Sequence, residues 1–211
     1  MTTHTNPSTS LDPDNTTFKF PSHYSFPPFF TLQPVHTTRT SQLHSWSRLI
    51  QSYCQHHHLW TLSLTDALPS PLFTNTHLSR SLSLRDAREI ISWMTTSEAG
   101  RRAEWTSPTS STSSTSSTST TSGDREDQKT RCYIFWRRPE EWASVIEEWV
   151  DRTGQKGSVL TLYEIVESES TRKEEFWGME RGLLERCLRV LVKGGRAQVF
   201  GREGSEGVKF F

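Results

Sequence analysis

The residues able to do chemistry sit in a few short stretches. Cys54-x-His56-His57-His58 gathers a thiol and three imidazoles, the donor types of a zinc site. Tetrahedral zinc needs ligands from a second element, and no CxxC pair stands elsewhere, so the sequence favours a helix end dressed with polar imidazoles. Gly154-Gln155-Lys156-Gly157 has the look of a phosphate-loop fragment, but the other glycines and the Ser/Thr-led helix are missing. A tight turn between helix and strand explains it. Arg101-Arg102 and Arg137-Arg138 could touch phosphates, yet acids or tryptophans stand beside both pairs. The acid pairs Glu147-Glu148 and Glu174-Glu175 read as solvated helix faces, the second also open to partner contact. No nucleophile has a partnered base, so neither catalysis nor a cofactor is expected.

One stretch offers binding rather than reaction. Residues 18–34 hold six aromatic rings and four prolines. Prolines forbid a helix there and suit no central strand. They push their neighbours toward polyproline II, whose period of three puts Phe26 and Phe29 on one face. Each ring left in water forfeits roughly 2 kcal/mol, so something must cover them. The cover is either the domain's own core or another chain. Both can hold for different rings.

These residues need elements to position them. At 211 residues the chain makes one domain or two small ones. A mean hydropathy of −0.64 implies segments outside any core, while eight tryptophans argue for a folded remainder. Lys plus Arg and Asp plus Glu both number 24, which removes the electrostatic case for nucleic acid or an anionic membrane. Three scattered cysteines fit a reducing compartment. The polar N-terminus is no signal peptide and no apolar run reaches membrane length, so a soluble, cytoplasmic protein is expected.

Residues 1–17 are polar and expected to be disordered. After the arm, Leu43, Trp46, Ile50, Tyr53 and His57 follow helical spacing, predicting a helix over about 40–57. Leu59–Leu62 reads as a strand, Asp66 as the start of a short helix, and Ser83 as the cap of a helix from Leu84 to about Thr96. Ala103–Trp105 and Arg131–Trp136 are strands. Of Thr106 to Ser122 all but Pro108 are Ser or Thr, so 106–129 is expected to be a disordered insertion at a hairpin tip. Pro139, Glu140 and Glu141 open another helix, with Trp142, Val145, Ile146, Trp149 and Val150 as its stripe. A strand over Ser158–Thr161, a short helix over Leu162–Val166 and a helix from about Glu174 to Lys193 follow. The last helix carries Leu183, Leu184, Cys187, Leu188, Leu191 and Val192. Two strands, Ala197–Phe200 and Val208–Phe211, close the chain.

Both halves thus read helix, strand, short helix, helix, strand, strand. That is the order of a winged helix, and it predicts an α+β fold of two tandem winged-helix domains, 18–136 with the arm and 137–211. The junction Arg137-Arg138-Pro139 is too short for a floppy linker. A winged helix often binds DNA. The third helix of the second domain, however, mixes Arg181, Arg186 and Arg189 with Glu180 and Glu185, whereas recognition needs a one-signed face.

Several stretches together resemble a known family. Phe26-Pro27-Pro28-Phe29-Phe30-Thr31-Leu32-Gln33-Pro34, Trp136-Arg137-Arg138-Pro139-Glu140-Glu141-Trp142, Thr153–Gly157, Val159–Glu164 and Gly207–Phe211 are similar to the vacuolar protein-sorting-associated protein 25 family, the small subunit of ESCRT-II. The likeness covers residues 18–105 and 131–211; the Ser/Thr tract departs from it. It implies a non-catalytic tandem winged-helix adaptor, present in two copies per complex, recruited to endosomes for sorting ubiquitinated membrane proteins into multivesicular bodies. Pro27, Pro28, Phe29 and Phe30 match the family's docking motif for the two larger ESCRT-II subunits. The second domain is expected to bind the N-terminal helix of an ESCRT-III subunit, with Gln155, Lys156, Tyr163 and Glu164 assigned to that contact.

Overall fold

The computed structural model of the chain describes residues 17–106, 130–201 and 206–211. The expected tail and Ser/Thr insertion lie outside these residues, apart from Thr17 and Thr106. α1 (His36–His56) begins at His36 rather than near residue 40, because extended Val35 already serves as its N-cap without a side-chain bond. β1 (Thr61–Ser63), slightly later than expected, leads into α2 (Leu64–Ala67) and a ribbon of β2 (Thr74–Asn75) and β3 (Arg80–Ser81). α3 (Leu84–Met94) is capped as expected: the Ser83 hydroxyl accepts from the Asp86 N–H at 3.0 Å, worth about 1 kcal/mol. β4 (Ala103–Trp105) and β5 (Arg131–Ile134) pair antiparallel, Ala103 opposite Ile134 and Trp105 opposite Cys132.

α4 (Pro139–Arg152) has proline at its first position, and a Glu141 carboxylate oxygen accepts from the Arg138 N–H at 2.6 Å. Gly154, at φ +67°, turns the chain out of it. β6 (Val159–Thr161) and α5 (Leu162–Val166) follow, then α6 (Arg181–Lys193), β7 (Ala197–Phe200) and β8 (Gly207–Phe210). The helix expected from Glu174 starts only at Arg181. Gly178 takes φ +71° and donates its N–H to the Val166 carbonyl, which holds residues 174–179 as turns that bury Phe176 and Met179.

The two halves repeat. The main sheets are ordered β1-β5-β4 and β6-β8-β7, so in each the first strand pairs with the third and the hairpin's outer strand lies beyond it. Each half has its own core, one around Trp46, Phe73 and Ile90, the other around Trp142, Trp149 and Leu184. β5 belongs to both. Its side chains alternate faces: Cys132 and Ile134 enter the first core, while Tyr133, and Phe135 just beyond the strand, enter the second. Trp60, next to β1, also faces the second core, where its ring lies 4.4 Å from Trp136 and 5.4 Å from Trp142. Polar ties flank this seam. Arg186 pairs with Glu104 at 2.8 Å and lies 4.4 Å over the Tyr133 ring, and Glu175 takes both Arg137 (2.8 Å) and Gln55 (3.3 Å).

Candidate interaction surfaces

The arm does not run as polyproline II. Ser22–Ser25 and Pro27–Phe30 form two short 3₁₀ turns. Proline fixes only φ, and near −65° that angle serves a 3₁₀ turn as well as an extended helix. Phe26 and Phe29 therefore part company: Phe26 is 59% exposed, whereas Phe29 and Phe30 are buried in the first core. Phe29 stacks on Trp46 with centroids 4.3 Å apart and planes within 11°. The Trp46 indole N–H donates to the Phe29 carbonyl at 3.1 Å. Tyr24 donates its hydroxyl to the Thr74 carbonyl (3.0 Å) and to that of Pro71, and burial pushes its phenol up to about 12. Of the docking motif, only Pro27 and Pro28 remain exposed, beside Phe26.

Gln42 organises this arrangement, and sequence reasoning passed over it. Its amide N–H groups reach the carbonyls of Phe29 (2.8 Å), Thr31 (3.0 Å) and Pro28 (3.3 Å), while its oxygen accepts from the Gln33 N–H at 3.0 Å. A segment whose prolines cannot donate leaves carbonyls in surplus, and a buried primary amide supplies donors for them. The available signal was a glutamine four positions before Trp46 on the buried face of a helix.

In the second half, Tyr163 is 61% exposed on the first turn of α5. With Val159, Leu162 and Phe200 it lines a depression of about 610 Å³. Glu164 points its carboxylate back to cap α5, accepting from the Thr161 N–H (2.7 Å) and hydroxyl (2.8 Å), contacts that hold it below the usual carboxylate range. Lys156 pairs with Asp151 at 2.9 Å in the turn between α4 and β6. The Gln155 N–H donates to the Val150 carbonyl, and Gly154 and Gly157 both adopt positive φ, as a tight turn requires. Gln155 and Lys156 precede β6, and Tyr163 and Glu164 follow it. Of these four, only Tyr163 lines the depression.

The remaining chemical candidates are structural. Cys54 points into the first core, its thiol pushed up to about 12 by burial, while His56 and His57 sit outside around Phe18, at 5.5 and 6.2 Å between ring centroids. Glu174 pairs with Arg152 and Glu175 with Arg137.

A family model described as ESCRT-II complex subunit matches residues 23–180. The chain belongs to the ESCRT-II subunit family. It is 38% identical over 194 residues to vacuolar protein-sorting-associated protein 25 of Danio rerio, covering 92% of this chain and 99% of the relative. Against the Homo sapiens protein of that name it is 36% identical, covering 92% and 98%. It is also similar to the crystal structure of subunit VPS25 of the endosomal trafficking complex ESCRT-II, with a TM-score of 0.73 and 32% identity over 90% of this chain and 98% of that one. The crystal structure of the endosomal complex ESCRT-II (VPS22/VPS25/VPS36) matches at a TM-score of 0.71 and 31% identity, again over 90% and 98%. For an ESCRT-II subunit, a proline-aromatic edge on the first half and a depression beside Tyr163 on the second are two surfaces suited to protein contact.

Proposed function

We propose that this chain is a non-catalytic adaptor of ESCRT-II, built as tandem winged-helix domains over 18–136 and 137–211. The first docks on the two larger subunits, and the second recruits an ESCRT-III subunit by taking its N-terminal helix. Two copies serve each complex. The assembly, recruited from the cytoplasm to the endosome membrane, sorts ubiquitinated membrane proteins into multivesicular bodies. The observation that carries this reading is the likeness, over 90% of the chain, to a subunit solved within a complex of VPS22, VPS25 and VPS36.

The geometry divides the labour of the arm. Phe29 and Phe30 are anchored in the chain's own core, so they shape the arm, while Phe26, Pro27 and Pro28 form the edge that meets a partner. Replacing a buried phenylalanine by alanine costs about 3–5 kcal/mol of the fold itself, so Phe29→Ala cannot separate docking from folding. The informative variant is Phe26→Asp with Pro27→Ala and Pro28→Ala. Co-expressed with the two larger subunits, it should keep its circular dichroism and melting temperature yet leave the complex on gel filtration. Undiminished co-elution at the mass of the intact assembly would overturn the docking assignment.

The alternative, a DNA-binding winged helix, gains no support from α6. Arg186 is committed to Glu104, and Arg181 to Glu185 and Glu206.

A further inference from the structure

Most carbonyls of the arm are satisfied from within the chain. In the two 3₁₀ turns, those of His23, Phe26 and Pro28 accept from the N–H groups of Phe26, Phe29 and Thr31. The Tyr24 carbonyl accepts from the Asn75 amide at 3.0 Å. Two glutamines then close on the residues after Phe26. Gln42, on the buried face of α1, donates to the carbonyls of Pro28, Phe29 and Thr31. The Gln33 side chain donates to those of Pro28 (3.2 Å) and Thr31 (2.9 Å). Since the Gln33 N–H also bonds the Gln42 oxygen, the two amides form one bracket across the arm.

This bracket lies behind the exposed edge. Gln42 is buried, whereas Phe26, Pro27 and Pro28 face solvent, so a chain meeting the edge does not reach the Gln42 side chain. Without the bracket Phe29 and Phe30 still have their places in the core. The prolines, however, leave ψ free, and the segment around them samples extended as well as turned geometry. A partner must then order the edge as it binds, which lowers affinity.

We propose that Gln42 and Gln33 are positioning residues for docking, holding the Phe26–Pro28 edge in its binding geometry before a partner arrives. This rests on the reading that the edge meets the two larger ESCRT-II subunits.

The test immobilises the co-expressed pair of larger subunits and follows binding of the full chain by surface plasmon resonance. Gln42→Leu removes the buried amide at similar volume, and Gln33→Ala removes the second at a half-buried site. Each should slow association by about tenfold, as when about one arm in ten is binding-competent, with dissociation unchanged. Phe26→Ala removes a contact and should instead speed dissociation. Circular dichroism and melting temperature correct each rate for the folded fraction, so a purely structural role leaves association of the folded chain at the wild-type rate. That result, or faster dissociation in the glutamine variants, would overturn the positioning role and leave the docking reading intact. Should Gln42→Leu fail to fold, Gln33→Ala decides alone. If Phe26→Asp with Pro27→Ala and Pro28→Ala binds as tightly as the wild type, the docking reading falls and the positioning role falls with it.

Discussion

Gln42 is 8% exposed, and every hydrogen-bonding atom of its amide is used to hold the arm. A buried polar group of this kind is expensive unless satisfied, so it fixes one arm conformation rather than several. Two histidines sit on the same side of that balance. His57 is held below its ordinary 6.5 by burial and then by the nearby His56 charge, and His23 below it by burial and then by Arg48. A depressed value means the folded state resists the proton that the unfolded chain accepts. Stability is thus fully present above 6.5 and is lost as pH falls through the lower folded values. Melting temperature should hold level down to that point and then decline, with both imidazoles titrating below 6.5 by NMR. His23→Asn with His57→Asn should flatten the decline, and an equally steep fall in that variant would contradict the assignment.

At the scale of elements, α6 approaches β5 as closely as it does because residue 182 is glycine. A Cβ there would meet the Tyr133 hydroxyl at 2.3 Å, which in turn lies 3.4 Å from Glu180. Gly182→Ala should therefore destabilise the chain by about 1–3 kcal/mol, measured by urea unfolding, although alanine is the better helix former. A neutral or stabilising result would mean that Tyr133 moves aside freely. This glycine also marks what was legible beforehand. Stripes such as Trp142-Ile146-Trp149 and stops such as Gly154 follow from periodicity and backbone preference, and they appear where expected. Contacts between distant elements leave no period. Nothing near Gly182 announces Tyr133, nothing in the arm announces Gln42, and nothing in the stripe shows that Val192 falls at its edge. The arm departs from expectation for a related reason, since proline sets φ but leaves ψ to whichever N–H donors, here Gln42 and Trp46, reach the arm's carbonyls. On the second surface, Tyr163 is among the residues the sequence singles out, while Val159 and Phe200 read simply as apolar strand residues.

Across the whole molecule, the two halves are joined through β5 rather than strung on a linker. With Cys132 and Ile134 in one core and Tyr133 and Phe135 in the other, loosening either half exposes apolar surface of both. Thermal unfolding followed by tryptophan fluorescence and by far-ultraviolet circular dichroism should give coincident single transitions. Two separated midpoints would show that the halves melt independently. A chain cut at Arg137 would leave Trp60, Tyr133, Phe135 and Trp136 without the cover that the second half gives them, so trimming either half uncovers a wall of the other.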